Sequence, residues 1–123
     1  MSRRSFDSQT LGKTGEQKAA DYLVNSGYRI RERNYRCRAG EIDIIAEISE
    51  YIVFVEVKSR LETHEKINPL ISVTKAKQFR LRNLGEIFIK HRKIKDYQPR
   101  FDVIGVTFSN EDRFELEHIE NAF

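Results

Sequence analysis

The chain has 123 residues, of which 33% are charged, and a formal net charge of +3. This length suits one domain with a modest core and is too short for two. Eight phenylalanines, five tyrosines and many branched aliphatic residues argue against a disordered chain. No apolar run approaches the roughly 18 residues of a membrane span. Because there is no apolar signal-peptide core and Cys37 has no partner for an internal disulfide, we expect a reduced, cytoplasmic protein.

The polar residues 1–9 predict a flexible N-terminal arm, followed by a single domain over residues 10–123. From about Thr10 to Asn25 the apolar residues recur at helical spacing, and Gly27 is placed to cap the helix end. Glu16 lies at the edge of the apolar stripe of this helix. It is therefore either an ordinary solvated residue or a residue that leans towards the rest of the domain.

The next segments have the pattern of strands. Tyr28 to Tyr35 alternates, with arginines on one face, which predicts a half-exposed edge strand. Cys37 to Gly40 makes a turn. The stretch from Gly40 to Arg60 contains two runs rich in strand-forming residues joined by a short turn, which predicts a β-hairpin.

Charged residues interrupt this hairpin where charge is costly. A turn at Ser49-Glu50 places Asp43 opposite Glu56, and Glu41 opposite Lys58. Opposed side chains have Cβ atoms roughly 4.5–5.5 Å apart, so the two acids need a metal ion or a shared proton between them. Lys58 shares a face with Glu56 because side-chain direction repeats every second residue. The structural alternative is a cross-strand salt-bridge cluster of these four residues, although its three acids outnumber its one lysine.

The second half of the chain predicts a polar loop, a helix and two strands. Ser59 to Ser72 is polar and contains Pro69, which indicates a loop. Val73 to Arg92 is predicted as a helix, with Gly85 inside it for no evident reason. The expected inner face of this helix consists of Val73, Ala76, Phe79, Leu84, Ile87 and Phe88. The last two predicted strands are Arg100 to Phe108 and Arg113 to Ile119, and Asp102 beside Arg100 predicts a structural ion pair.

Basic and acidic residues are segregated along the chain. Between Lys75 and Lys95 there are eight basic residues against Glu86 alone, and the interval Arg29 to Arg38 adds five arginines. Basic surfaces around an acidic pocket suit a polyanion drawn to a metal site, whereas the alternative is a helix face that only keeps the protein solvated. Tyr35 between basic residues either stacks on a base or packs in the core.

Several motifs resemble those of known nucleases. Asp43, twelve intervening residues and then Glu56-Val57-Lys58 resembles the PD-(D/E)xK signature, with Ile42 at the motif's proline. From about Gly12 to Val106 the chain is similar to the bacterial YraN family. The matching segments are Gly15-Glu16, Asn34-Tyr35-Arg36, Gly40 to Asp43, Val53 to Arg60 and Arg100 to Val103. Leu61 to Ile71 departs from the family because it lacks a glycine-containing segment.

The resemblance implies a restriction-endonuclease-like core, similar also to archaeal Holliday-junction resolvases. This is an α/β fold with a mixed central sheet of about five strands flanked by two main helices. The implied function is a metal-dependent endonuclease that hydrolyses phosphodiester bonds in DNA, including branched or otherwise structured DNA, and the likeness to resolvases favours a homodimer. The alternative is a non-catalytic nucleic-acid-binding module that retains the nuclease fold.

The resemblance also implies roles for individual residues. Asp43 and Glu56, joined by Glu16 if its helix packs over the hairpin, would hold Mg²⁺ or Mn²⁺, and Lys58 would orient or activate the attacking water. Glu41, which the predicted register and not the resemblance places opposite Lys58, is expected to be the ion-pair partner of that lysine. The residues expected to contact nucleic acid are Arg36, Arg38, Arg60, Lys75 and Lys77. The three histidines are scattered and lack the ligand spacing of a zinc site.

Overall fold

The structure is a computed structural model that describes residues 7–123. Its elements follow the predicted order of helix, three strands, helix and two strands. They are α1 (Ser8–Asn25), β1 (Arg29–Cys37), β2 (Gly40–Ile48), β3 (Tyr51–Leu61), a 3₁₀ helix (Pro69–Ser72), α2 (Lys75–His91), β4 (Gln98–Asn110) and β5 (Arg113–Ile119). The predicted α/β class is therefore confirmed.

The five strands form one mixed sheet in the order β1-β2-β3-β4-β5. β3 and β4 are parallel and the other neighbours are antiparallel. Parallel neighbours require a crossover connection, and here α2 provides it. α1 packs on one face of the sheet and α2 on the other, so the core has two layers separated by the strands. β1 lies at an edge, as its alternation predicts.

The start of α1 and the end of β3 differ from the prediction. α1 begins at Ser8 rather than about Thr10, because the Asp7 carboxylate accepts a hydrogen bond from the Thr10 N–H at 2.7 Å and caps the helix. Residues 1–6 of the predicted arm lie outside the described residues. β3 continues to Leu61, so the following loop is shorter than predicted. Among residues 7–123, no helix is long and apolar enough to cross a membrane.

The inner face of α2 is rotated relative to the prediction. Thr74 caps the helix, and the buried apolar side chains are Leu81, Leu84 and Phe88. The expected core residues Ala76 and Phe79 are exposed, and Phe79 is 68% exposed. Leu84, Phe88 and, just before the helix, Val73 are buried as predicted. The prediction was wrong for Ala76 and Phe79 because the apolar residues of this helix fit more than one helical face. The packing of α2 against the sheet selects one of these faces.

Gly85 allows α2 to approach the sheet. A Cβ atom at this position would lie 3.0 Å from Phe101 Cζ and 3.1 Å from Phe54 Cε2. Both rings belong to the core between α2 and the sheet. The glycine inside the helix therefore has a packing reason that the sequence does not reveal.

A buried network ties β4 to β5 and the C-terminal segment. Asp102 is fully buried and accepts hydrogen bonds from Arg100 Nη2 at 2.7 Å and from the Asn121 N–H at 2.9 Å, while His118 Nε2 lies 2.7 Å away. Burial alone would raise the pKa of Asp102, but the hydrogen bonds from His118 and Arg100 outweigh it and lower the pKa. The predicted ion pair of Arg100 and Asp102 is confirmed.

Gly15 sets the distance between α1 and β3. A methyl group at Gly15 would overlap Ser59 Oγ and lie 2.8 Å from Ser59 Cβ. α1 can therefore lie this close to β3 only because residue 15 has no side chain. The next residue of α1, Glu16, is brought to the same end of β3.

Replacing Gly15 by alanine should destabilise the fold by about 1–3 kcal/mol, because the added methyl group overpacks the contact with Ser59. Gly12→Ala is the matched control, since nothing lies within 4 Å of a Cβ there, and it should be neutral or stabilise α1 by up to about 1 kcal/mol. Urea unfolding followed by circular dichroism measures both changes. The double variant Gly15→Ala/Ser59→Gly should recover part of the loss. A Gly15→Ala variant as stable as Gly12→Ala would contradict this packing.

Candidate active site

The hairpin has the predicted register. β2 pairs with β3 from Ile48 opposite Tyr51 to Ile44 opposite Val55. The next residues beyond this ladder are Asp43 and Glu56, as predicted. At this point Asp43 Oδ2 accepts a hydrogen bond from the Val57 N–H at 2.8 Å. A side-chain carboxylate thus binds the main chain of β3 where the regular ladder ends.

The strands are irregular around Asp43. Ile42 packs in the core under α2 whereas Ile44 packs in the core under α1, although residues two apart in a regular strand share a face. The alternation of β2 is therefore broken at Asp43. On β1, Asn34 has a φ of 52°, a left-handed conformation that asparagine tolerates better than most residues. Two neighbouring strands are thus distorted beside the acidic residues.

Asp43 and Glu56 shift each other's pKa in opposite directions. Glu56 is 8% exposed and Asp43 is partly buried. Burial and a hydrogen bond to Glu56 raise the pKa of Asp43 to about 9. Burial alone would raise the pKa of Glu56 too, but the hydrogen bonds from Asp43 and Lys77 outweigh it and lower the pKa. Opposed carboxylates can coexist through a metal ion or a shared proton, and the raised pKa of Asp43 is the direction expected for two neighbouring acids without an ion.

Two lysines complete the cluster. Lys77 Nζ, from α2, lies 2.8 Å from Glu56 Oε2. Burial alone would lower the pKa of Lys77, but its contact with Glu56 raises it. Burial and the neighbouring Lys77 lower the pKa of Lys58. The closest cation to the buried acid therefore comes from α2, which the motif Glu56-Val57-Lys58 does not indicate.

The predicted pairing of Glu41 with Lys58 is wrong. Glu41 Oε2 accepts a hydrogen bond from Arg36 Nε at 3.0 Å, across the ladder of β1 and β2. The reason is that the paired part of β2 and β3 ends at Ile44, so Glu41 follows β1 instead. The alternative prediction was a cross-strand salt-bridge cluster of all four hairpin charges. Glu41 does not take part in such a cluster, because it pairs with Arg36.

α1 brings Glu16 into the acidic cluster. Partial burial and then the negative charge of Glu41 raise the pKa of Glu16, and Glu16 and Glu56 also repel each other. With its nitrogen turned towards the carboxylates, the Asn34 amide donates to Glu16 Oε1 at 3.0 Å and to Glu41 Oε1 at 3.3 Å. Glu16 therefore leans towards the sheet. Asn34 is a residue of the site that the sequence did not single out, although its place in a matching segment was a signal.

The residues predicted to contact nucleic acid have different surroundings. Arg38 is exposed in the turn after β1, and Lys75 is exposed at the start of α2. Arg36 is paired with Glu41, and Lys77 is paired with Glu56. Arg60 Nη1 donates to the Ile67 carbonyl at 3.2 Å. The structure thus brings Lys77 into the acidic cluster rather than leaving it on the basic surface.

A cleft of about 360 Å³ lies beyond Lys58 on the same strands. It is lined by Arg60, the loop over residues 61–67, Thr107, Glu115 and Glu117. Pro69 packs directly on Gly105, the neighbour of Lys58 in β4, so the 3₁₀ helix is anchored beside the site.

Tyr35 does not line the site. It is 6% exposed, and its ring contacts Phe88 edge-on with 5.0 Å between centroids. The interpretation of Tyr35 as a base-stacking residue is therefore wrong, and the packing alternative is correct.

The donor set of the site fits a hard divalent cation. No group of three or more His, Cys, Asp and Glu side chains within residues 7–123 is already arranged to hold an ion. However, Glu56 Oε2 is buried and lies 2.8 Å from the Lys77 ammonium group, so the oxygen that could bind an ion already faces a cation. Carboxylate oxygens without soft ligands suit Mg²⁺ or Mn²⁺ rather than zinc. An ion bound between the two acids would displace the Lys77 ammonium group and any proton on Asp43.

Comparison with known proteins assigns the family. The profile of the family described as Uncharacterised protein family UPF0102 matches residues 15–106. The chain belongs to this family. A UPF0102 protein of Syntrophus aciditrophicus (strain SB) is 46% identical over 112 residues, which are 91% of this chain and 87% of the relative. The UPF0102 protein of Caldanaerobacter subterraneus subsp. tengcongensis is 41% identical over 123 residues, which are 98% of this chain and 99% of the relative.

A third UPF0102 protein, of Thermodesulfovibrio yellowstonii, is 47% identical over 114 residues, which are 92% of this chain and 95% of the relative. The predicted membership of the YraN (UPF0102) family is thus confirmed. The matched range contains Glu16, Asp43, Glu56, Lys58 and Lys77. The family description names no activity, so the chemistry has to be argued from the site.

Replacing Asp43 by asparagine should change how stability depends on pH. Asparagine keeps an acceptor for the Val57 N–H but carries no titrating proton. The folded protein holds the Asp43 proton up to about pH 9, whereas the unfolded chain releases it near 3.8. The raised pKa therefore makes the wild type lose stability as pH rises through this interval, by up to about 1.4 kcal/mol per pH unit.

We expect the free energy of unfolding of the wild type to fall more steeply than that of Asp43→Asn between about pH 5 and about pH 8. Urea unfolding at both pH values measures the difference. Asp112→Asn, in an exposed turn, is the control and should keep the wild-type slope. Equal slopes for the wild type and Asp43→Asn would show that the folded protein does not hold this proton.

Proposed function

We propose that the protein is a metal-dependent endonuclease that hydrolyses phosphodiester bonds in DNA, including branched or otherwise structured DNA. The observation that carries this proposal is the pair Asp43 and Glu56 at the point where β2 and β3 separate, with two lysines beside it. Two opposed acids in a partly buried place are costly for folding, and well-packed apolar residues would serve stability as well or better. Such strongly shifted titratable groups cluster at functional sites.

Each residue of the cluster has a role in this proposal. Asp43 and Glu56 hold Mg²⁺ or Mn²⁺, and Glu16 adds a ligand or holds a water of the ion. When bound, the ion supplies Lewis-acid polarisation of the phosphoryl oxygens. Lys58 Nζ orients the attacking water and offsets the negative charge that develops on the phosphate. Its partly buried position and lowered pKa suit it to exchange a proton with that water.

The basic side chains around the cluster bind the DNA backbone. Arg38 and Lys75 are exposed, and Arg36 and Arg60 belong to β1 and β3, the two strands that flank β2 in the sheet. Lysine and arginine contacts to phosphates supply affinity without sequence preference. Cutting both strands of a branched substrate calls for two copies of the site, so a homodimer is part of the proposal.

Cleavage of labelled DNA tests the proposal. Branched, single-stranded and duplex substrates are incubated with Mg²⁺ or Mn²⁺ and the wild type, Asp43→Asn or Lys58→Ala. We expect cleavage by the wild type and a loss of at least about 100-fold in each variant, because each removes a group that acts on the reacting phosphate. Lys95→Ala removes the same charge from an exposed connector and should retain activity. Cleavage that is unchanged in both site variants would contradict the assignment.

A second candidate function is a non-catalytic nucleic-acid-binding module. The observation that favours it is that Lys77 already neutralises Glu56, while burial and Glu56 raise the pKa of Asp43. In such a module the cluster would be a structural device and the basic residues would carry the function. The complete set of Asp43, Glu56 and Lys58 favours the nuclease.

Metal titration separates the two functions. For a nuclease we expect calorimetry to show Mg²⁺ or Mn²⁺ binding in about the millimolar range or tighter, lost in Asp43→Asn, since Mg²⁺ sites with few carboxylates depend on each of them. For a module, the DNA affinity should fall with salt concentration and be unaffected by the metal. Ion binding that persists in Asp43→Asn would place the ion elsewhere and contradict the proposed site.

A further inference from the structure

Lys77 occupies the place of a cation beside the buried acid. Its Nζ lies 2.8 Å from Glu56 Oε2, and the Glu56 side chain is only 9% exposed. The main chain of Lys77 is held at the start of α2, where its N–H donates to Thr74 Oγ1 at 3.2 Å. The side chain itself is 33% exposed. Because the Lys77 main chain is fixed and its side chain is partly solvated, the ammonium group can leave Glu56 without any movement of α2.

We propose that Lys77 is the resident counter-ion of the acid pair and that a divalent ion binds by displacing it. This inference rests on the proposed function. Glu56 needs a cation because an unpaired buried carboxylate costs several kcal/mol. An ammonium group and a divalent ion are attracted to the same oxygen, so they compete for it.

The position of Lys77 supports exchange rather than permanent pairing. Its side chain is 33% exposed, whereas the Glu56 side chain that it neutralises is 9% exposed. A partly solvated ammonium group returns to water at a lower cost than a buried one. Lys58 already lies two residues from Glu56 on the same strand face, so neutralising Glu56 does not by itself require a second lysine.

Displacement gives Lys77 a second position. Lys58 lies on the same strand face as Glu56, because it follows Glu56 by two residues. Once the Lys77 ammonium group leaves Glu56, it remains on the same side of the sheet as Lys58, where a substrate phosphate would lie. Lys77 is thus a positioning residue that couples loading of the ion to binding of the phosphate. The sequence analysis placed Lys77 among the residues that contact nucleic acid, and this inference assigns it to the acidic cluster instead.

Ion affinity and thermal stability of Lys77→Met test the inference. Lys90→Met is the matched control, because it makes the same change at an exposed position of the same helix. By calorimetry with Mn²⁺ we expect Lys77→Met to bind the ion about five- to tenfold more tightly than the wild type and Lys90→Met, since no ammonium competes. Without the ion, Lys77→Met should melt at a lower temperature than Lys90→Met, and Mn²⁺ should raise its melting temperature more.

Lys77→Gln is a second variant, which keeps a polar side chain next to Glu56 without the charge and should also bind Mn²⁺ more tightly than the wild type. Equal ion affinity in all four proteins would overturn the inference while leaving the proposed metal site intact. Binding only by the two Lys77 variants would support displacement but contradict metal-dependent activity of the wild type. Failure of every protein to bind Mn²⁺ would overturn both.

Discussion

The burial of one carboxylate beside another is the constraint on which the rest of this site depends. Glu56 lies in the central strand β3 with 8% of its surface exposed, and Asp43 approaches it from β2. Two negative charges cannot coexist there without compensation. The Lys77 ammonium group lies 2.8 Å from Glu56 Oε2, and burial beside Glu56 raises the pKa of Asp43. A divalent cation could replace both the ammonium group and a proton on Asp43, and the proposed metal-dependent function rests on this exchange.

The architecture explains why these groups meet. β3 and β4 are parallel, so the chain has to cross from one to the other, and α2 makes this crossing over the sheet face that carries Glu56. The start of α2 thereby delivers Lys77 to the acid pair. α1 lies on the opposite face, and Gly15 lets it approach β3 closely enough for Glu16 to join the cluster. The two helices thus bring charged residues from both sides to the place where β2 and β3 separate.

The sequence was sufficient for those features that depend on local pattern. The short turn after Ile48 sets the register of the hairpin, and the register places Asp43 and Glu56 together because pairing in an antiparallel ladder follows from the turn. Helix and strand order followed from periodicity. The β1–β2 pairing of Glu41 with Arg36 was not predictable from the hairpin alone, since the separation of β2 and β3 depends on the distortion at Asp43.

The contact of Lys77 with Glu56 could not be predicted from the sequence, for a different reason. The direction of each α2 side chain depends on the rotation of the helix, which is set by packing of Leu81, Leu84 and Phe88 on the sheet. The sequence alone favoured an inner face that includes Phe79, which is exposed. The Asn34 amide likewise joins Glu16 and Glu41 only because three elements converge.

A crystal structure with Mn²⁺, located by its anomalous scattering, tests the central claim most directly. We expect one ion at about 2.0–2.2 Å from carboxylate oxygens of Asp43 and Glu56, with the Lys77 ammonium group moved away from Glu56 Oε2. A saturating Mn²⁺ concentration that leaves Lys77 on Glu56 and gives no anomalous peak between the two acids would contradict it.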